Sequence, residues 1–154
     1  MFKNILILTL STLLIFSCGK KNKDEISQVD TEEIGKNLYA EGVEALKDGD
    51  AFFAYKKFRE AETLLTQYSW ASKASLMASY AEYSRSSYTN AISDLKQHIR
   101  TYPADKNIHY AHYLIAMCYY EQILDEKKDL DPLIKAKEKF EFIMKNYPRY
   151  RLWN

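Results

Sequence analysis

The sequence predicts an all-α protein built from repeated pairs of helices. From Glu32 onward, apolar residues recur at spacings of three and four almost without interruption, a period typical of helices. The chain has 154 residues but only 4 Gly and 3 Pro, too few turn-forming residues for a β-rich fold. One short motif, a small residue followed four positions later by a large apolar one, occurs three times. This recurrence indicates repeated units that stack on one another.

The first stretch of the chain, Met1–Ser17, has the features of a secretory signal peptide. Lys3 supplies the positive charge, and Ile5–Phe16 is an apolar run that is too short to span a bilayer. The run ends at Ile15-Phe16-Ser17-Cys18, which resembles the lipobox of bacterial lipoprotein signals. The resemblance implies cleavage before Cys18 and acylation of that residue. The alternative is an uncleaved N-terminal anchor helix with an incidental cysteine.

Residues 18–31 are predicted to form a flexible tether between the lipidated Cys18 and a folded domain. They are polar, charged in both signs and nearly free of large apolar side chains. Several acyl chains on one residue hold a protein stably at a membrane, so the prediction requires no transmembrane segment. Gly19 follows the cysteine, which by resemblance to bacterial sorting signals favours the outer membrane. Cys118 is the other cysteine, and we expect it to be a small buried apolar residue.

Residues 32–154 are predicted to form one domain of six helices. Gly49-Asp50 and Ser86-Ser87 are typical of helix ends, and Pro132 suits the first turn of the last helix. In the first helix, Ile34 is expected to face inward. The predicted helices span Glu33–Asp48, Ala51–Gln67, Ser69–Arg85, Tyr88–Tyr102, Asn107–Ile123 and Pro132–Tyr147.

The repeated motif lies in the second helix of each predicted pair. It occurs as Ala54-x3-Phe58, Ala91-x3-Leu95 and Ala136-x3-Phe140. A neighbouring helix can approach closely at the alanine and pack against the larger side chain. Turn residues precede the motif at the same offset in the first two units, and Tyr-Pro follows it in the last two. Together these features resemble the tetratricopeptide repeat, which implies an α-solenoid of about three antiparallel helix pairs with a concave groove.

Many of the 13 tyrosines fall on the groove side of this repeat pattern. In the repeat family, the first helix of each pair lines the groove. Tyrosine offers contact area at low entropic cost plus a hydroxyl, so the groove would suit an extended peptide with aromatic or apolar side chains. Lysines beside them could meet a carboxylate, such as the C-terminus of a chain. The predicted groove residues are Lys36, Tyr39, Lys73, Tyr80, Tyr83, Tyr110, Tyr113, Met117 and Tyr120. The alternative is that the tyrosines only pack between helices.

Several longer stretches resemble one family, BamD, the lipoprotein of the outer-membrane β-barrel assembly machinery. The match covers Cys18–Tyr150 and includes Tyr68-Ser69-Trp70-Ala71, Ile99–Pro103 and, most specifically, Tyr110–Ile123. The resemblance implies a lipid-anchored protein on the periplasmic face of the outer membrane that binds BamA and other lipoproteins of the Bam complex. It also implies that the groove of the first repeats receives the C-terminal β-signal of unfolded outer-membrane β-barrel proteins.

The chain departs from the family pattern at two places. Leu65-Thr66 stands where the family has Tyr-Pro, so this turn is expected to be less rigid. The family has further repeats after the third, whereas this chain ends at Asn154. We therefore expect apolar side chains near the C-terminus to be partly exposed. These side chains are Tyr147, Tyr150, Leu152 and Trp153.

Other classes of function have little support in the sequence. The formal net charge is only +1 and no basic block is present, so nucleic acid is not an expected partner. His109 and His112 are three apart on a helix, but no third ligand at a fixed spacing accompanies them, so no metal is expected. No phosphate-binding loop or catalytic motif is present, and neither an enzyme nor a cofactor is expected. The remaining alternative is a repeat-scaffold lipoprotein that bridges envelope proteins without binding a client.

Overall fold

The computed structural model of the chain describes residues 23–123 and 129–149. Within these residues there are six helices and no strand, which confirms the predicted all-α class. The predicted signal peptide, the lipidation site at Cys18 and the C-terminal Tyr150, Leu152 and Trp153 lie outside the described residues. The helices are α1 (Lys23–Lys47), α2 (Ala51–Leu64), α3 (Tyr68–Ser84), α4 (Tyr88–Thr101), α5 (Ile108–Tyr120) and α6 (Asp131–Asn146).

Helix α1 begins earlier than predicted, at Lys23 rather than near Glu33. The added segment is polar, but it contains neither Gly nor Pro, so nothing in it interrupts a helix. The expectation that irregular chain extends to Thr31 is therefore wrong from Lys23 onward. The chain divides into two units between Asp30 and Thr31, and the packing described below lies within the second unit.

The turn between α1 and α2 is built around a glycine, as predicted. Gly49 has φ 82°, a left-handed conformation that is accessible to glycine at no steric cost. The N–H of Asp50 donates a 2.8 Å hydrogen bond to the Ala45 carbonyl, which closes the end of α1. The Asp50 carboxylate then accepts a 2.9 Å hydrogen bond from the N–H of Phe53 and caps α2.

The turn between α3 and α4 has the same hydrogen-bond pattern without a glycine. Ser86 adopts φ 61°, and the N–H of Ser87 donates a 2.9 Å hydrogen bond to the Glu82 carbonyl. A left-handed conformation costs a non-glycine residue about 1–2 kcal/mol. The geometry of this turn is therefore imposed by the two helices that it joins and not by the preference of serine.

The helices pack in the order in which they occur along the chain. From α2 to α6 each helix contacts the next, and α3 also contacts α5. Contacts with the next helix and the next but one are typical of stacked helix pairs, and this arrangement confirms the predicted tetratricopeptide-like solenoid. The alanines of the repeated motif are inaccessible in the first two units and 2% exposed in the third. They are therefore buried between helices, as the motif predicts.

Helices α1 and α2 are so close that α1 carries glycine at the points of contact. A Cβ atom added at Gly35 would lie 2.9 Å from Leu65 Cγ, and one added at Gly42 would lie 2.8 Å from Phe58 Cε1. Both distances are shorter than a carbon–carbon van der Waals contact, so neither position has room for a side chain. The motif predicts a close contact between a small residue and a large side chain on facing helices. Gly35 and Gly42 are the small residues that α1 contributes to such contacts.

Helix α3 is shared between two parts of the core. Its Ala78 and Ala81 pack with Ala45, Ala54 and Phe58 from the first helix pair. Its Leu76 belongs to a separate cluster with residues of α4 and α5. The other buried members of that cluster are Ala91, Ile92, Leu95, Ala111, Leu114, Ile115 and Cys118. A helix that serves two neighbouring cores is what joins successive units of a solenoid.

The inward prediction for Ile34 is wrong, because this side chain is 52% exposed. The buried stripe of α1 runs through Gly35, Gly42 and Ala45 instead, and Ile34 points away from it. Tyr147, for which partial exposure was expected, is half-buried after the end of α6. On α6 itself, the exposed apolar side chains are Leu133, Ile134, Phe142 and Met144.

Candidate functional site

Two lysines and two aromatic rings form a cluster between α1 and α3. Tyr39 of α1 and Trp70 of α3 make an edge-to-face contact with ring centroids 5.7 Å apart. The Lys73 ammonium lies 5.0 Å from the Tyr39 centroid and 5.1 Å from the Trp70 centroid. The Lys36 ammonium lies 5.6 Å from the Trp70 centroid. We call these four residues, Lys36, Tyr39, Trp70 and Lys73, the cationic end.

Helical spacing brings this cluster together. Lys36 and Tyr39 are three residues apart on α1, and Trp70 and Lys73 are three apart on α3, so each pair shares one helix face. Contact between a cation and an aromatic face contributes about 0.5–1 kcal/mol at an exposed site, and here it fixes where the charges lie. Lys36 also approaches Glu32, at 3.9 Å. Within the described part of the chain, Lys73 makes no ion pair, so its positive charge is available to a ligand.

A pocket of about 430 Å³ adjoins the cationic end at Lys73. Its remaining walls come from the start of α3 and the α4–α5 loop, and they are Tyr68, Ser69, Ser72, Ala104, Asp105, Lys106 and Asn107. The loop is held in place by the Ala104 N–H, which donates a 3.0 Å hydrogen bond to the Tyr68 hydroxyl. One oxygen of the Asp105 carboxylate accepts a 2.8 Å hydrogen bond from the Asn107 N–H, and the other oxygen lies 3.5 Å from His98 Nε2. The pocket is therefore lined by two lysines, Lys73 and Lys106, and by one carboxylate, Asp105, which already accepts a hydrogen bond.

Four tyrosines form a second cluster further along α3 and on α5. The rings of Tyr80 and Tyr83 are 6.2 Å apart, and those of Tyr110 and Tyr113 are stacked at 6.0 Å. Burial, together with nearby Tyr80, Tyr113 and Tyr83, raises the pKa of Tyr110 to about 12. Tyr80, Tyr83 and Tyr110 pack against the same buried apolar cluster, and Tyr110 stays a hydrogen-bond donor at neutral pH. We call these four residues the tyrosine cluster.

The rings of the tyrosine cluster are half-buried, so part of each remains accessible. Tyr113 also makes an edge-to-face contact with Phe140 of α6 at 6.3 Å. The packing alternative is thus correct in part: these tyrosines contact other helices and still offer a surface. Of the other predicted groove residues, Met117 is half-buried and Tyr120 is 57% exposed.

The structure brings seven of the nine predicted groove residues together in two groups, leaves out Met117 and Tyr120, and shows further residues beside them that sequence reasoning missed. Trp70 is the centre of the cationic end, yet it was not among the predicted groove residues. Trp70 lies three residues before Lys73, so helical spacing could have placed both side chains on one face of α3. Lys106 lies in a loop, where helical periodicity gives no placement, and only the fold brings it beside Lys73.

His98 of α4 is buried. The side chain is inaccessible, because it continues the buried stripe of Ala91 and Leu95 on α4. Burial lowers the pKa of His98, while Asp105 and Glu62 act in the opposite direction. His112 lies 4.8 Å from the Phe142 ring. Among the residues described, no three His, Cys, Asp or Glu side chains are grouped in a way that could hold a metal.

The comparison with known families identifies the chain's relatives. Residues 31–152 match the family described as YfiO, an outer membrane lipoprotein. The chain belongs to this family. It is 34% identical over 111 residues to the outer membrane protein assembly factor BamD of Caulobacter vibrioides, which is 72% of this chain and 36% of that protein. It is 33% identical over 76 residues to BamD of Rickettsia prowazekii, which is 49% of this chain and 30% of that protein.

These matches confirm the predicted resemblance to the BamD family. The chain spans about a third of the length of the curated relatives that it matches. The matched region contains both the cationic end and the tyrosine cluster. In the part of the chain that the structure describes, none of the helices has the length and hydrophobicity needed to cross a bilayer.

Proposed function

We propose that the chain is an adaptor in the assembly of outer-membrane β-barrel proteins, and that it binds extended segments of those proteins before they insert. The observation that carries this proposal is the pairing of the cationic end with the tyrosine cluster on the first helices of the three pairs. Accessible aromatic surface suits the alternating aromatic side chains of an unfolded strand. Lys73, which makes no ion pair among the described residues, suits a negatively charged group on the same segment.

Anchoring and partners form part of the same proposal. The signal peptide 1–17 is removed, Cys18 carries the acyl chains, and residues before the folded unit hold that unit near the periplasmic face of the outer membrane. BamA and other lipoproteins of the Bam complex are the proposed partners. The support comes from the named relatives, which are assembly factors.

A binding measurement tests the proposed client site. The full chain in detergent is titrated with a fluorescent peptide from the C-terminal strand of an outer-membrane barrel protein. Replacing two groove tyrosines together, Tyr80→Ala and Tyr113→Ala, is expected to weaken binding at least tenfold, since each aromatic contact contributes about 0.5–1.5 kcal/mol beyond its buried area. Tyr55→Ala with Tyr119→Ala is the matched control, because these tyrosines are also half-buried but lie outside the cluster.

The proposal is wrong if the peptide does not bind, or if the groove variant and the control variant bind it equally well. Crosslinking in cells followed by capture of the chain tests the partners. Recovery of BamA and barrel precursors supports the adaptor. Recovery of cell-wall or division proteins without barrel precursors supports the scaffold alternative.

A further inference from the structure

We propose that a second surface, formed by Phe52, Lys56 and Arg85, docks a protein segment that carries a carboxylate beside an apolar side chain. We call these three residues the Phe52 surface. Phe52 and Lys56 belong to α2, the second helix of its pair, whereas the groove is formed by the first helices. Arg85 follows α3 and lies about 18 Å along the helix axis from Lys73. The inference therefore goes beyond the proposed function and does not depend on client binding.

Phe52 is an exposed aromatic ring with two cations against it. The residue is 53% exposed. The Lys56 ammonium lies 4.4 Å from the ring centroid, and the central carbon of the Arg85 guanidinium lies 5.2 Å from it. The ring attracts both cations, which fixes two positive charges beside an apolar surface. Aromatic residues and arginine are enriched in the surfaces through which proteins bind one another.

The positive charge of the Phe52 surface is available to a partner. Among the described residues, Lys56 makes no ion pair. Arg85 Nη1 is 3.7 Å from Glu82 Oε1, and the Glu82 side chain is buried whereas that of Arg85 is partly exposed. Glu82 therefore holds Arg85 from the protein side and leaves its outer face open. One buried carboxylate against two cations leaves a net positive surface, which attracts a carboxylate.

The backbone around the Phe52 surface is held by two left-handed turns. Gly49 lies just before the Asp50 cap of α2, and Ser86 directly follows Arg85. Ser86 is not a glycine, so its φ of 61° is strained. Strained backbone is concentrated at functional sites, where the surrounding structure imposes it. Here the strained residue adjoins the arginine that lies against Phe52.

The charges beside the Phe52 surface favour a protein segment over a membrane as the partner. The neighbouring Phe53 is also exposed, and it lines a pocket of about 640 Å³ together with four carboxylates. Two of them, Asp48 and Asp50, have no lysine partner among the described residues. A sheet of anionic lipid headgroups would meet these carboxylates as well as the cations. A protein segment can place one carboxylate at Lys56 and Arg85 and avoid the acidic side.

Two short synthetic peptides test the chemistry of the partner. In one peptide leucine alternates with glutamate, and in the other it alternates with glutamine. The full chain in detergent is expected to bind the glutamate peptide about fivefold more tightly, since partly exposed ion pairs contribute modestly. Fluorescence anisotropy of labelled peptides measures both affinities. Equal affinities for the two peptides would overturn the proposal.

A double variant locates the bound peptide. Phe52→Ser with Lys56→Gln is expected to remove most of the preference for glutamate. Leu133→Ser with Lys137→Gln on α6 is the matched control, because it changes an exposed apolar residue and an exposed lysine at the same spacing. The control variant should keep the preference. If both variants bind the glutamate peptide like the wild type, the Phe52 surface is not its site.

The groove variant separates this proposal from the proposed function. Tyr80→Ala with Tyr113→Ala should leave the affinity for the glutamate peptide unchanged, since both tyrosines lie in the tyrosine cluster. If the groove variant loses the glutamate peptide while the Phe52 variant keeps it, the docking surface is wrong and client binding is unaffected. Loss of the barrel peptide alone concerns only the proposed function.

Crosslinking in cells tests the partner itself. A photoreactive phenylalanine replaces Phe52, and mass spectrometry identifies the residue to which it attaches. The expected product is a protein segment with Asp or Glu next to the attached residue. A segment without a carboxylate would overturn the proposal. A lipid adduct, or sedimentation with phosphatidylglycerol vesicles that the Phe52 variant loses, would also overturn it and assign the surface to the membrane.

Discussion

Gly42 lies directly against the ring of Phe58, so that a Cβ atom on this glycine would be 2.8 Å from Phe58 Cε1. We predict that Gly42→Ala lowers the free energy of unfolding by up to about 2 kcal/mol. The steric conflict in a packed core costs about 1–3 kcal/mol, and the better helix propensity of alanine returns about 1 kcal/mol. Urea unfolding followed by circular dichroism measures the difference.

A double-mutant cycle separates the steric conflict from other effects of the Gly42 change. Phe58→Leu is expected to destabilise the Gly42→Ala chain less than it destabilises the wild type, because the smaller side chain relieves the conflict. Additive effects of the two changes would contradict the contact.

Ser86 has a left-handed backbone that glycine adopts without strain. We predict that Ser86→Gly stabilises the chain by about 0.5–1 kcal/mol, because relief of this strain exceeds the entropy that glycine adds to the unfolded state. The lost contact, a 3.3 Å hydrogen bond from the Tyr88 hydroxyl to Ser86 Oγ, is exposed and adds little. The shift in the urea midpoint at unchanged slope is the measurement.

Gly49→Ala is the matched control for the turn geometry. Gly49 has φ 82°, and an added Cβ would meet no atom within 4 Å, so its cost comes from the backbone alone. We expect a destabilisation of about 1 kcal/mol. If both substitutions left stability unchanged, the left-handed turns would not be constrained as described.

The buried His98 and the half-buried His112 predict a loss of stability at mildly acidic pH. Burial lowers the pKa of His98 and of His112 below the ordinary value of 6.5. As the pH falls below about 6.5, the unfolded chain takes up protons that the folded chain excludes, so the free energy of unfolding decreases. The decrease continues until the pH reaches the folded-state pKa values, and it is at most about 1.4 kcal/mol per pH unit for each histidine.

Comparison with a variant isolates the histidine contribution to this pH dependence. The groups that face His98 include Asp105 and Glu62, which oppose the effect of burial. Burial raises the pKa of Asp94, so this carboxyl makes stability increase as the pH falls, which is opposite to the effect of the histidines. The wild type and the variant share this contribution, so it does not affect their comparison. His98→Gln with His112→Gln should flatten the dependence between pH 7 and 5. An unchanged slope would show that these histidines are accessible to protons in the folded state.

Cys118 is predicted to be inert in the folded chain. Its side chain is inaccessible, and burial raises the pKa of its thiol to about 12, so the reactive thiolate is scarce. In a Cys18→Ser chain, a thiol reagent at pH 8 should label Cys118 only when urea is added. Ser84→Cys in the same background is exposed and should be labelled at once. Equal labelling rates for the two thiols would contradict the burial of Cys118.

The parts of the fold that local signals determine could be predicted from the sequence. The turns at Gly49 and Ser86 were found because helix ends have their own residue preferences. The buried alanines were found because the motif repeats at a fixed place. The start of α1 was not predicted correctly: Asp30 with Glu33 three residues later is a typical helix-start signal, yet the helix already begins at Lys23 and continues through it.

The tyrosines of the candidate site could be predicted from the sequence, whereas the extent of the site could not. Helical spacing gave the face of α3 that carries Lys73, Tyr80 and Tyr83, because neighbours on a helix follow from periodicity alone. The role of Trp70 and the burial of His98 depend on which helix packs against them. That information comes from contacts between distant segments, which a residue pattern does not contain.

The order of packing has a consequence for how the chain folds. Among the described residues, packed helices are next to each other in sequence or separated by a single helix, so contact order is low. Proteins with such local contacts fold in microseconds to milliseconds, and arrays of stacked units can open at one end while the other end stays closed. The last helix pair is therefore expected to exchange its amide hydrogens before α3 does, because α3 is covered by helices on both sides.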